Sequence, residues 1–204
     1  MSRQGGKTFP PTIGGVLEEK PLRADARRNR AKVLAAAEAV FAAKGMNAPT
    51  EEVAKAAGVG VGTLFRHFPT KEALLEAVLQ EHLRRFAAEA TRWAGADDPG
   101  SAFFAFLKEW VEMAATKNAY TDALAAAGTR APEAAGVRDE VVGALRTVLT
   151  RAQDAGTVRS DVGVTELIAL MVGTSRGAEH LGGDPALRRR MLEIVVDGLR
   201  PSPR

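Results

Sequence analysis

A chain of 204 residues, 46% hydrophobic and 26% charged, is long enough to bury two unequal cores, and its 5% aromatic content suits alanine-rich helices better than a β-sandwich. It contains no cysteine, which excludes disulfides and thiolate metal sites, and no apolar run approaches the length that spans a bilayer. The net charge of +3 conceals an asymmetry: residues 1–71 carry twelve Lys or Arg against six Asp or Glu, whereas residues 72–204 carry sixteen against nineteen, so a polyanionic partner belongs at the N-terminal end.

Residues 1–22 hold Gly5-Gly6, Pro10-Pro11, Gly14-Gly15 and Pro21 without sustained periodicity and are expected to form a flexible basic arm. That arm is either plain disordered chain or, with Lys20, Arg23, Arg27, Arg28 and Arg30, a run of charge that follows DNA or reaches a minor groove. From about Asp25 to Lys44, the residues Val33, Leu34, Ala37, Val40 and Phe41 share one helical face, and Gly45 ends the helix. Thr50 is the expected cap of a short second helix with Glu51 and Glu52 in its first turn, and Gly58 stops it.

Thr63, Leu64, Phe65 and Phe68 then restart the helical pattern until Pro69, so residues 50–71 have the spacing of a helix-turn-helix within a domain of residues 23–70. Leu64 and Phe68 should face inward with Val53 and Ala54, leaving Val61, Gly62, Thr63, Arg66 and His67 outside. By spacing alone the unit is equally a tight corner of an ordinary helical protein.

Thr70 caps a long helix that carries Leu74, Leu75, Val78, Leu79, His82, Leu83 and Phe86 on its apolar face to about Trp93. Lys71 in its first turn is placed to donate to a phosphate at the positive end of the helix dipole. Residues 95–100 form a turn, and Ser101 is expected to cap a helix to about Lys117 bearing Phe103, Phe106, Leu107, Trp110, Val111 and Met113. This aromatic stripe is either plain core or the wall of a pocket for a small apolar effector. A short helix over Tyr120 to Ala127, a loop over residues 132–136 and a helix from Arg138 to Ala155 should follow.

Two last helices, about 164–180 and 184–199, complete the chain. The first is apolar nearly all round, with Leu167, Ile168, Leu170, Met171 and Val172, and sets Gly173 and Gly177 one turn apart; Leu187, Met191, Ile194, Val195 and Leu199 repeat the pattern in the second. This pair is the expected homodimer interface, with burial inside one subunit as the competing reading.

No catalytic constellation is evident. His67, His82 and His180 are scattered, no HExxH pattern exists, and the run Gly58, Gly60, Gly62 follows a helix and lacks both phosphate-loop and dinucleotide spacing. No enzyme activity, metal or cofactor is therefore expected.

Residues 28–79 resemble the DNA-binding domain of the TetR (tetracycline-repressor-like) family of bacterial regulators. The specific part runs from Ala54 to Lys71 and comprises the Gly58 turn, Thr63-Leu64-Phe65, His67-Phe68 and the Lys71-Glu72 opening of the next helix. The resemblance implies an all-α protein with an N-terminal three-helix DNA-binding domain and a larger C-terminal helical domain, residues 71–200, for effector binding and dimerisation. It implies that Thr50, His67 and Lys71 hold phosphates while Val61, Gly62, Thr63 and Arg66 face the bases, Thr63 being suited to either role and Arg66 being the candidate for reading a guanine. The family usually carries tyrosine where this chain has Phe65. The phosphate contact of that hydroxyl is lost, leaving Phe65 with packing or a methyl contact.

The resemblance also implies a small-molecule effector, unidentified, in the C-terminal domain. His82, Phe86, Phe106, Trp110, Met113 and Met171 are its candidate contacts, although His82 reads equally as a satisfied core residue. The long helix would carry the signal, and the last two helices of each subunit would form a four-helix dimer bundle. Residues near the N-terminus lack the apolar core of a secretory signal, so the expected protein is a cytoplasmic, ligand-responsive regulator on palindromic double-stranded operator DNA, a repressor rather than an activator. A helical ligand-binding or interaction protein without a DNA role is the competing reading.

Overall fold

The structure, a computed structural model, describes residues 19–129, 135–181 and 184–201. All regular structure among them is helical: α1 (Glu19–Lys44), α2 (Thr50–Ala57), α3 (Val61–His67), α4 (Lys71–Ala94), α5 (Pro99–Ala126), α6 (Ala135–Asp154), α7 (Val164–His180) and α8 (Pro185–Leu199). None of these helices is long and apolar enough to cross a membrane.

Helix α1 begins at Glu19, earlier than the expected Asp25, and takes Pro21 into its first turn, where the missing N–H would have had no partner in the helix. The rest of the expected arm, residues 1–18, lies outside the described residues. Thr50 does not cap α2. Pro49 occupies that position in an extended conformation (φ −64°, ψ 145°), and Thr50 is the first helical residue, its hydroxyl capping nothing. Proline's locked φ suits that extended residue without any side-chain hydrogen bond.

The stop after α2 follows expectation. Gly58 sits in the left-handed region at φ 67°, its N–H donates to the Lys55 carbonyl, and the Val59 N–H donates to the Ala54 carbonyl, the paired bonds of a Schellman ending. A Cβ at this φ would be strained, which is why glycine stands at the tightest point of the α2–α3 corner. Thr70 does cap α4, its hydroxyl accepting from the Ala73 N–H at 3.1 Å.

Two expectations for α5 are corrected. Asp98, not Ser101, is the cap: its carboxylate accepts from the N–H groups of Gly100 and Ser101, and Pro99 begins the helix. The helix then runs unbroken to Ala126, where two helices meeting near Lys117–Tyr120 were expected. Asn118, a weak helix former at that join, is buried and donates to Glu179 at 2.6 Å and Ser175 at 3.4 Å, so tertiary partners offset its poor propensity. Helix α6 starts at Ala135, inside the expected loop; residues 130–134 lie outside the described residues.

Two cores result. Val33, Leu34, Ala37 and Phe41 of α1 pack on Val53, Ala54, Leu64 and Phe68, as the helical spacing required. The same cluster takes in Leu74, Leu75 and Val78 from the start of α4, and also Tyr120 and Leu124 from the far end of α5. Each such large side chain contributes about 1.5–3 kcal/mol on burial, a substantial share for so small a domain. The N-terminal three-helix unit is thus completed by the C-terminal end of α5. The second core joins Phe86, Phe103, Phe106, Leu107, Leu145, Leu149, Leu167 and Met171 across α4, α5, α6 and α7.

Candidate nucleic-acid interface and ligand cavity

The α2–α3 corner presents one face outward. Leu64 is fully buried and Phe68 nearly so, which fixes the rotation of α3 and turns Val61, Gly62, Phe65 and Arg66 to solvent. Val61 and Phe65 are 39% and 38% exposed, unusual for apolar side chains on a short helix, and a Cβ on Gly62 would meet no atom within 4 Å. The start of α3 therefore offers a low, partly apolar surface that a groove floor can approach closely. Arg66 is exposed and makes no hydrogen bond or ion pair with any described residue, so its guanidinium is uncommitted. Thr63 and His67 are half-buried at the rim, the His67 ring lying 6.3 Å from that of Phe68.

The flanks carry the remaining candidates. Lys71 is half-buried at the first turn of α4, its ammonium 5.9 Å from the centre of the Phe41 ring. Thr50 is buried at the start of α2, and exposed Glu51 follows it. On α1, Arg30 lies over the Phe68 ring at 5.3 Å, so part of its role is packing.

Among α1, α4, α5, α6 and α7 lies a cavity of about 680 Å³. His82, Phe86, Trp110 and Met113 line it. Phe106 and Met171 do not: both are fully buried behind its wall, Phe106 packing on Phe86 at 5.4 Å and on Trp110 at 6.0 Å. Charged residues that periodicity did not single out also reach the cavity, including Glu38, Arg85, Lys117 and Arg138. Arg85 and His82 stand one turn apart on α4, a spacing visible in the sequence. Lys117 was hidden by the assumption that its helix ended there.

The polar contacts gather at the end of the cavity nearest α1. The Arg85 Nη2 donates to both oxygens of Glu38 at 2.9 Å and lies 3.2 Å from His82 Nδ1. His82 Nε2 is 3.5 Å from Glu38 without hydrogen-bond geometry and is left buried with no partner. Burial, outweighing the pull of Glu38, pushes the His82 pKa below its ordinary value, and the Tyr120 ring packs on the imidazole at 5.3 Å. The Tyr120 hydroxyl is pushed up to about 12, by burial first and by Glu38 second. Burial and the nearby Arg176 both hold the Lys117 pKa below that of a free lysine.

Comparison with known proteins agrees with this arrangement. Residues 33–78 match the family described as bacterial regulatory proteins, tetR family, and residues 98–201 match the SbtR-like transcriptional regulator C-terminal domain. The fold is similar to that of a TetR transcription regulatory protein from Mycobacterium vanbaalenii, with 41% identity over 89% of this chain and 100% of that one at a TM-score of 0.69. A TetR transcriptional regulator from Streptomyces coelicolor is 35% identical over 85% of this chain and 99% of its own, at a TM-score of 0.68. An HTH-type transcriptional regulator of Staphylococcus aureus is 38% identical over 66 residues, a match spanning 36% of that relative's length. The helix-turn-helix, the helical domain behind it and the match along nearly the whole of two solved relatives together show that this chain belongs to the TetR family of bacterial transcriptional regulators.

Proposed function

We propose that the chain is a cytoplasmic, ligand-responsive repressor that binds palindromic operator DNA as a homodimer and leaves it when a small molecule fills the cavity. The observation that carries this reading is the solvent face of α3: uncommitted Arg66 beside exposed Val61, Gly62 and Phe65, on a helix held in place by buried Leu64. In this reading residues 23–70 bind DNA and residues 71–200 bind effector and partner. Thr50, His67 and Lys71 hold phosphates, Val61, Gly62, Thr63 and Arg66 face base edges, and Phe65 makes an apolar contact. Two-fold symmetry sets half-sites about 34–36 Å, or a multiple of that, apart.

The exposed apolar residues of α7 and α8 support the homodimer, and the position of the cavity against both α1 and α4 supports release. Filling it would shift α4 relative to α1 and disfavour the spacing of the two α3 helices that fits DNA, provided the effector binds the released form more tightly. Selection of the purified protein against random duplexes tests the reading. A palindromic consensus with affinity falling steeply with salt is expected, and Arg66→Ala should relax preference at one base pair of each half-site by about 1–3 kcal/mol. No enriched sequence from folded, ligand-free protein would defeat the proposal.

A further inference from the structure

We infer that the effector is an apolar carboxylic acid whose anion is received by Lys117 and Arg85, two cations that line the cavity, and competes with Glu38 for Arg85. The inference rests on the reading of this cavity as the effector site.

The cavity wall combines apolar side chains with a few charged ones. Phe86, Trp110, Met113, Val141 and Leu145 form the apolar part, a surface for hydrocarbon or aryl groups. Lys117, Arg85 and Arg138 bring positive charge to the lining, and Arg85 is the one bonded to Glu38, the α1 carboxylate that reaches the cavity. The cavity's other acids, Glu89 and Glu109, are already engaged: Arg92 bonds Glu89 at 2.5 Å, and the Trp93 indole N–H donates to Glu109 at 2.8 Å.

Lys117 is the group without a counterpart. It makes no hydrogen bond or ion pair with any described residue, although it is half-buried. The carboxylates that act on it through space, Asp122 and Glu179, are taken by Arg176 at 2.7 Å and 3.3 Å, and Glu179 also accepts from Asn118. A desolvated ammonium with no anion is costly, and a ligand carboxylate relieves that cost where a neutral head group would not.

Arg85 supplies the second contact. Both of its bonds to Glu38 come from the single nitrogen Nη2, so the remaining donors of the planar fork stay available to a carboxylate. A carboxylate bound there draws Arg85 away from Glu38, the one side chain of α1 that lines the cavity. The ion pair joining the DNA-binding unit to α4 is then weakened by ligand chemistry itself.

Calorimetry on the full chain tests this, with octanoate and 3-phenylpropionate as probes and their primary amides as neutral matches. The acids should bind at least about tenfold more tightly than the amides. Lys117→Met, which keeps the apolar stem and removes an unpaired buried charge, should fold at least as stably, lose about tenfold for the acids and leave the amides unchanged. Glu38→Gln should tighten acid binding about three- to tenfold by removing the competitor. Amides binding as well as acids, or undiminished acid binding by Lys117→Met, would overturn the anion assignment while the effector cavity stands. Unchanged acid affinity in Glu38→Gln would overturn the competition. If neither acids nor amides bind at millimolar concentration, the inference and the cavity reading fall together.

Discussion

His82 has its imidazole between Glu38 of α1, Glu81 and Arg85 of its own helix and the Tyr120 ring of α5, with burial the largest influence on its charge. The folded state therefore disfavours protonation. Above the ordinary value of 6.5 the residue is neutral in both folded and unfolded chains and adds no pH dependence. As pH falls below 6.5 the unfolded chain takes up a proton that the folded chain resists, so stability declines until the lowered folded pKa is passed, then levels. Urea midpoints between about pH 8 and pH 5 should fall on the acid side, and His82→Gln should flatten that slope above the carboxylate range. Identical pH profiles for the two proteins would remove His82 from the account.

Helix α5 spans the C-terminal domain from the α6–α7 corner to α1. At its start, Gly100 passes so close to Thr157 that a Cβ would lie 2.5 Å from the threonine Cγ2. Thr157 cannot easily retreat, because it is β-branched and its hydroxyl donates to the Ala152 carbonyl at 2.9 Å. Alanine ordinarily stabilises a helix relative to glycine by about 0.5–1 kcal/mol. Here the overlap should prevail, and Gly100→Ala should destabilise the protein by about 1–3 kcal/mol in urea unfolding. A gain in stability would mean that the two segments separate freely. At its far end α5 places Lys117 in the cavity and Tyr120 against Phe41 and His82, so one continuous helix touches the cavity and the helix-turn-helix core together.

At the scale of the molecule, the most exposed large apolar side chains among the described residues lie on α7 and α8. Leu187 and Ile194 are 52% and 59% exposed, and Leu170 stands out on the neighbouring helix. Gly177 faces Met191 of α8 within the same chain, its built Cβ 3.5 Å from the sulfur, whereas Gly173 opens to free space where a second copy's helix would have room. Ile194→Glu would place a charge in the proposed interface, where it loses its water without gaining a partner. Light scattering should then report a monomer in place of a dimer. Operator affinity should drop by at least about tenfold, since the two half-sites would no longer be bound as one unit. A wild-type chain that is already monomeric at micromolar concentration would sink the dimer proposal.

Much of the DNA-binding unit was legible because it depends on local rules. Gly58 ends α2 by a backbone geometry that favours glycine, Pro69 ends α3, and the spacing of Val33, Ala37, Phe41, Leu64 and Phe68 dictates which faces meet. Thr50 and Ser101 were misread as caps because Pro49 and Asp98, one and three residues earlier, compete for the same role. The cavity was only half legible. Phe86, Trp110 and Met113 announce themselves by helical period, but period cannot separate a cavity wall from the solid core, where Phe106 and Met171 lie. Sequence by itself determined the all-helical fold, the α2–α3 corner and the solvent face of α3, since each follows from contacts within a few turns. Only tertiary structure decided that α5 runs unbroken, that Tyr120 joins the helix-turn-helix core and that Lys117 lines the same cavity as Glu38 and Arg85. Those facts depend on residues brought together across four helices, and no local periodicity encodes which charges meet at such a distance.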